Sequence, residues 1–211
     1  VTAPADDLPP EAAARIAAQL AFLSEADRLK SVVRASPLHD GSRRETTAEH
    51  SWHVALYALV MAEHAIRPVA VDRVIRMLLV HDLVEIDAGD VPIHAQGGAA
   101  HGSAAVAAAE ARAADRLFAL LPPDQARSLR ALWDEFEAGQ TDDARFAKAL
   151  DRVPPVVANL EAGGGTWRSY DVTRDQLDTR VGRPMRRGAP ALWAALRGRI
   201  DAWFDRAAGG G

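Results

Sequence analysis

The sequence predicts an all-α fold, and three observations point to it. Hydrophobic residues make up 48% of the chain, much of that alanine and leucine, whereas aromatic residues make up only 6%. That balance favours helix over sheet. Period-two alternation of β-branched and aromatic residues, the mark of a half-buried strand, is nearly absent. Helix starts and stops instead recur along the chain, and no linker is long enough to separate two cores.

Pro9 and Pro10 open a first helix over about 11–24, and a short second one follows over about 25–33. The segment SPLHDGSRRE reads as a charged loop. Thr46 and Glu49 form a Thr-x-x-Glu capping box, which starts a helix running to about Ala65 before Pro68. The next helix, from about Val71, contains VIRMLLVHDLVEI and is apolar on nearly every side around Met77–Val80, so it is expected at the centre of the bundle. Gly89 and Pro92 end it. A glycine-rich loop (96–102) leads to an alanine-rich helix up to Leu121, and Pro122, Pro123 and Asp124 start another that ends near Gly139. Asp142 and Asp143 open a helix expected to run to about Leu160, kinked at Pro154 and Pro155. Gly163–Gly165 reads as a flexible break. A short helix near 174–181 and an amphipathic one over about 189–206 complete the domain, with 207–211 a flexible tail.

Composition excludes several functions. The net charge of −4 lacks the basic footprint of a nucleic-acid binder. With no cysteine, disulfides, zinc fingers and thiol catalysis are ruled out, so any metal must be held by His, Asp and Glu. No apolar run approaches the ~20 residues of a membrane-spanning helix, and no basic start precedes an apolar run at the N-terminus. A cytoplasmic protein without membrane partners is the expectation.

The chemistry centres on His81-Asp82. An imidazole and a carboxylate inside VIRMLLVHDLVEI cost several kcal/mol to bury unless each finds a partner. A hydrogen-bonded pair serving only the fold is the plain explanation for such a dipeptide by itself. Other residues change the balance. Glu85 lies four residues after His81 and three after Asp82, on the same face of a continuous helix. His50 sits one turn inside the capped helix, and Asp151 interrupts the apolar FAKALDRV. Two His and two Asp from three helices suit one divalent ion, Mn²⁺, Co²⁺, Fe²⁺, Zn²⁺ or Mg²⁺.

The blocks AEHSWHVALYAL, LLVHDLVEIDAGDVP and ARFAKALDRVPPVVANLEAGGGTW, in this order and spacing, resemble the HD-domain 5′-deoxynucleotidase-like hydrolases over about 29–167. The resemblance implies a single HD-type helical domain, with its core over about 25–161 and C-terminal helices over 173–206, often dimeric. It implies metal binding by His50, His81, Asp82 and Asp151, an acid/base role for Glu85, and a place in the pocket for Asp90. The activity implied is phosphomonoester hydrolysis of a nucleoside 5′-monophosphate or similar small phosphate. Cations for the phosphate are expected among Arg34, Lys30, Arg43 and Arg44. Arg34 aligns approximately with the family's phosphate arginine, which a tryptophan directly follows in the bacterial deoxynucleotidases. Here Ala35 follows, so deoxyribose selectivity is expected to be weak.

Two other functions fit the same residues. A dinuclear HD enzyme, an oxygenase or a phosphodiesterase, would need His94 and His101 to hold a second ion, although a flexible loop is a poor platform for one. A non-catalytic interaction module could keep the metal for stability, but it would not need Glu85 and Asp90. His53 and His64 read as packed or surface residues. Trp133, Trp193 and Trp203 read as core or dimer contacts, and Trp167 as a candidate to close over the pocket.

Overall fold

The computed structural model describes residues 8–209, of which the notable exception to helix is one two-stranded hairpin. Helix α1 (Pro10–Ala26) leads through a 3₁₀ turn at Asp27–Ser31 into strand β1 (Val33–Pro37). Strand β2 (Arg44–Thr46) pairs with it antiparallel, Val33 opposite Thr46 and Pro37 opposite Arg44. The helix expected over 25–33 and the loop expected after it are thereby corrected. The signal was Asp40-Gly41, a hairpin dipeptide: Gly41 takes φ +70°, and the Asp40 carboxylate accepts from the Ser42 N–H (2.9 Å) and hydroxyl (2.7 Å).

Helix α2 (Thr47–Met61) starts where the capping box places it. The Thr46 hydroxyl accepts from the Glu49 N–H (3.3 Å), and the Glu49 carboxylate accepts from the Thr46 N–H (2.9 Å). Arg43 pairs with that same carboxylate, and together these hydrogen bonds hold Glu49 down to about 2 from its ordinary 4.5. The folded pKa is depressed, so this contribution to stability is present above about pH 4.5 and is lost as pH falls toward 2. Solvent screening keeps it small. Thr46→Ala is expected to cost about 1 kcal/mol in a denaturant titration. Glu49→Gln is expected to flatten the stability–pH curve in that acid window.

Helices α3 (Val71–Val80) and α4 (Glu85–Ala88) replace the single helix expected over VIRMLLVHDLVEI, with a turn between them. Met77 and Leu78 are fully buried, but Leu79 is 48% exposed, so α3 is amphipathic and not surrounded by protein on all sides. Helices α5 (Ala104–Phe118), α6 (Pro123–Ala138), α7 (Asp142–Asp151) and α8 (Val153–Glu161) follow. The kinked helix expected over 142–160 is in fact two helices that part at Arg152, just before the Pro154-Pro155 pair. Short helices α9 (Gly165–Ser169) and α10 (Arg174–Leu177), a π turn at Asp178–Gly182, α11 (Arg183–Gly188) and α12 (Pro190–Gly209) end the chain. Residues 207–209 continue α12, which corrects the expected tail; residues 210–211 lie outside the described residues. No helix among the described residues is long and apolar enough to cross a membrane.

Two apolar clusters flank the ligand-bearing elements. The larger packs α2, α3, α6 and α7 around Val54, Met77, Leu132, Phe146 and Leu150. The smaller gathers α8, α9, α11 and α12 around Trp167, Met185, Trp193 and Ile200, which places Trp193 and Trp203 in the core. Within the 163–165 glycine run, Gly164 and Gly165 are closely packed: a Cβ on Gly164 would collide with the Trp203 ring, and one on Gly165 would lie 2.7 Å from Asn159 Oδ1. Helix α11 lies against α7 so closely that a Cβ on Gly188 would collide with the Arg145 carbonyl and sit 2.8 Å from Ala149 Cβ. Backbone cannot yield as a side chain can, so Gly188→Ala is expected to cost about 1–3 kcal/mol, read as a fall of several degrees in Tm.

Candidate metal centre

His50, one turn into α2, is fully buried. His81 follows the last residue of α3, and its N–H donates to the Met77 carbonyl (2.9 Å). The residue is held from three sides. Nδ1–H donates to the Leu78 carbonyl (2.8 Å), Trp133 Nε1–H donates to the His81 carbonyl (3.1 Å), and the Phe136 ring lies 4.8 Å away. Asp82 occupies the turn after it, and Asp151 is the last residue of α7. Two helix C-termini, with their partial negative charge, therefore end at the site and favour a cation there.

The four donors converge. His50 Nε2 is 2.9 Å from Asp151 Oδ1 and 3.9 Å from Asp82 Oδ2. His81 Nε2 is 3.1 Å from Asp82 Oδ2 and 3.6 Å from Asp151 Oδ1. Ligand atoms of His50, His81 and Asp82 all lie within 4.8 Å of one another, and no second such group occurs among the described residues. Because His81 spends its Nδ1 proton on Leu78, Nε2 presents a lone pair to two carboxylate oxygens, and it has no hydrogen-bond donor. An acceptor facing acceptors needs a cation between them. A proton can serve: burial opposes it, but Asp82 and Asp151 raise His81 to about 10. A divalent metal serves equally, and this donor set of two imidazoles and two carboxylates fits one.

Arg34, on β1, enters the same pocket, 2.8 Å from Asp82 Oδ2 and 3.6 Å from both Glu85 Oε1 and Asp90 Oδ1. Burial works against its charge, but Asp82, Glu85 and Asp90 more than offset that and raise its pKa. Glu85 accepts from the Thr47 hydroxyl (2.7 Å). Burial and the neighbouring Asp82 push it up to about 9, against the pull of Arg34. Asp90 accepts from the Ala35 N–H (3.3 Å), which ties the hairpin to the site, and burial likewise raises it. Glu85 does not reach the pocket along one continuous helix face, as expected; it opens α4 after the turn at residues 81–84. So many carboxylates near one another are costly without further positive charge.

The other expected cations lie elsewhere. Lys30 is exposed and pairs with Asp27, Arg43 pairs with Glu49, and Arg44 is exposed on β2; none of the three lines the pocket. Trp167 is buried and does line it. Sequence reasoning missed Glu45, 3.6 Å behind His50 Nδ1, and Lys148 and Arg152, which line the pocket beside Asp151. Their adjacency to His50 and Asp151 was the available signal.

The HD domain family profile matches residues 26–193. The chain belongs to the HD domain family. This HD-domain chain is 29% identical over 145 residues to the 5′-deoxynucleotidase HDDC2 of Homo sapiens, covering 67% of each chain. It is 30% identical to that of Bos taurus, covering 67% of this chain and 66% of the relative. The match thus spans about two thirds of the curated relatives' length. Among solved structures it is similar to one from Magnetospirillum magnetotacticum described as a predicted metal-dependent phosphohydrolase. There the identity is 47%, the TM-score 0.84, and 92% of this chain and 97% of that one are covered. A conserved hypothetical protein from Pyrococcus furiosus, 20% identical with a TM-score of 0.61 over 84% of this chain and 98% of that one, shares the HD-domain fold.

Proposed function

We propose that this HD-domain phosphohydrolase releases phosphate from a nucleoside 5′-monophosphate or a similar small phosphomonoester, with one divalent ion held by His50, His81, Asp82 and Asp151. The observation that carries this reading is the convergence of two buried imidazoles and two carboxylates, with His81 Nε2 facing Asp82 Oδ2 and Asp151 Oδ1 and His50 Nε2 facing Asp151 Oδ1. The names of the relatives support the nucleotide part. When bound, a divalent ion polarises a phosphoryl oxygen and lowers the pKa of a bound water. Arg34 offers guanidinium donors to the phosphate oxygens. Glu85, oriented by Thr47, is the group that moves a proton: it takes one from the attacking water or gives one to the leaving ribose oxygen. Asp90 anchors β1 and so sets where Arg34 points.

A phosphate-release screen over nucleoside monophosphates and sugar phosphates, with Mn²⁺, Co²⁺, Mg²⁺ and Zn²⁺ each added, tests the reading. Metal-dependent release from a nucleotide supports it; no release from any phosphomonoester overturns it. One metal per chain is expected by elemental analysis, and two would favour a dinuclear enzyme. Ala35 lines the pocket with only a methyl group beside Arg34. The ratio of kcat/KM for deoxyribo- over ribonucleotides is therefore expected to stay within about tenfold, since one small contact is worth ~1–3 kcal/mol at most. We also read the chain as a cytoplasmic homodimer. Trp52, Leu56, Leu59 and Val60 are exposed at helical spacing on α2, and light scattering at twice the chain mass is the expected result.

A further inference from the structure

The hairpin places a carboxylate behind the metal centre that the proposed hydrolysis leaves without a role. Strand β2 alternates, with Arg44 exposed and Glu45 turned inward to 7% exposure. Val33 pairs with Thr46, and Arg34 and Glu45 are the next residues along each strand, so opposite charges meet across the hairpin. Thr46 then caps α2, which carries His50 one turn further on. A buried carboxylate is costly unless positive charge or hydrogen-bond donors face it. The two ion pairs of Glu45 among the described residues run to both halves of the proposed site. Its Oε2 stands 3.6 Å from His50 Nδ1 and 3.9 Å from Arg34 Nε.

Both of those nitrogens are buried and without a hydrogen-bond partner. They are the atoms that the two working groups leave over. His50 meets Asp82 and Asp151 through Nε2. When Nε2 gives its lone pair to an ion, the ring proton sits on Nδ1, on the side of Glu45. Arg34 meets Asp82, Glu85 and Asp90 through Nη1, which leaves Nε with Glu45. Neither contact is short enough to be a hydrogen bond, but one oxygen faces both orphaned donors. A carboxylate behind a ligating imidazole fixes its tautomer and orientation and makes it a better ligand. A guanidinium braced at Nε likewise has its fork aimed.

We propose that Glu45 is a positioning residue shared by the metal site and the phosphate site: one carboxylate oxygen accepts from His50 Nδ1–H and from Arg34 Nε–H, so the same group sets a ligand and the phosphate arginine. The proposal rests on the reading of His50 as a metal ligand and of Arg34 as the phosphate cation. Glu45 does not line the metal-bearing cleft; it lines a small separate pocket with His53. It therefore acts through its two neighbours and not on the substrate. Asp90 fixes the backbone of β1 through the Ala35 N–H, whereas Glu45 fixes the guanidinium itself. A carboxylate that served only the hairpin would bear on stability and leave the affinity for an ion unchanged.

The test uses the full metal-stripped chain as wild type, Glu45→Gln and Glu45→Ala. Co²⁺ is titrated by calorimetry, inorganic phosphate is then titrated into each protein at saturating Co²⁺, and the Tm of each metal-free protein is recorded. Glu45→Ala is expected to weaken Co²⁺ binding by about 10–100-fold, the usual loss when the partner of a ligating histidine is removed. It is also expected to weaken phosphate binding by about tenfold, the scale of one charge-assisted hydrogen bond. Glu45→Gln keeps the size and one carbonyl oxygen, so it is expected to fall between the two, about threefold or more weaker than wild type in both constants. A lower Tm with both constants at their wild-type values would make Glu45 a structural residue of the hairpin and overturn the proposal. Loss in one constant alone would overturn the shared role. If Glu45→Ala does not fold, Glu45→Gln decides on the same two constants. Neither titration needs turnover, so a chain that hydrolyses no phosphomonoester is still tested. A wild-type chain that binds none of Co²⁺, Mn²⁺ and Zn²⁺ would overturn the metal reading, and this proposal with it.

Discussion

Glu85→Gln is expected to yield a folded protein with its full metal content that hydrolyses substrate ~10²–10⁴-fold more slowly. Glutamine keeps the size of the side chain and can still accept from the Thr47 hydroxyl, which now stands 2.7 Å from Oε2. It cannot carry a proton. Glu85 contacts Arg34 and the Thr47 hydroxyl and forms no ion pair with His50 or His81 among the described residues, so the ion should stay. Burial and Asp82 raise its pKa in the protein and Arg34 acts in the opposite direction, so its proton is not held as on a free carboxyl. The measurement is kcat beside metal content by elemental analysis. Near-full kcat would move the proton transfer to another group, with Asp90 next in line. Loss of the ion would make Glu85 a ligand.

Asp151→Asn is expected to abolish both metal loading and activity. The Asp151 carboxylate stands 2.9 Å from His50 Nε2 and 3.6 Å from His81 Nε2, and it comes from a helix 101 residues beyond His50. Asparagine keeps the shape but removes the charge that compensates a cation. In wild type, metal at 100 times its Kd should stabilise the fold by about 2.7 kcal/mol, and that metal-linked rise in Tm should vanish in the variant. A variant that keeps one ion per chain and the Tm response would remove Asp151 from the ligand set, whatever its position in the structure.

Much of the site was legible because its chemistry is local in sequence. The Thr46–Glu49 capping box starts α2 and so sets the depth of His50 within it. His81-Asp82 and Asp151 stood out as polar residues in apolar segments, where burial without a partner is costly. The hairpin was missed because its strands are only five and three residues long, too short for a periodic signal. Only Asp40-Gly41 betrayed it. The breaks at Val80 and Asp151 were also missed, since apolar periodicity continues across both turns.

By itself, then, the chain's order of residues determined the helical class, the absence of thiol chemistry and the candidate His and Asp residues proposed to hold a cation. Those follow from side-chain chemistry and from helix signals that act over a few residues. Tertiary structure alone decided which cations face the site. Lys30, Arg43 and Arg44 have the same charge as Arg34, Lys148 and Arg152, yet only the latter three line the cleft. Charge is a property of the residue, but its counter-charge is a property of the packing: Lys30 meets Asp27 and Arg43 meets Glu49 within a few residues of chain, whereas Arg34 meets Asp82 across 48 residues. Arg180 meets a histidine 86 residues away instead of a carboxylate. No periodicity encodes such pairings, because they exist only once the hairpin, the π turn and the helix ends have been brought together around one cleft.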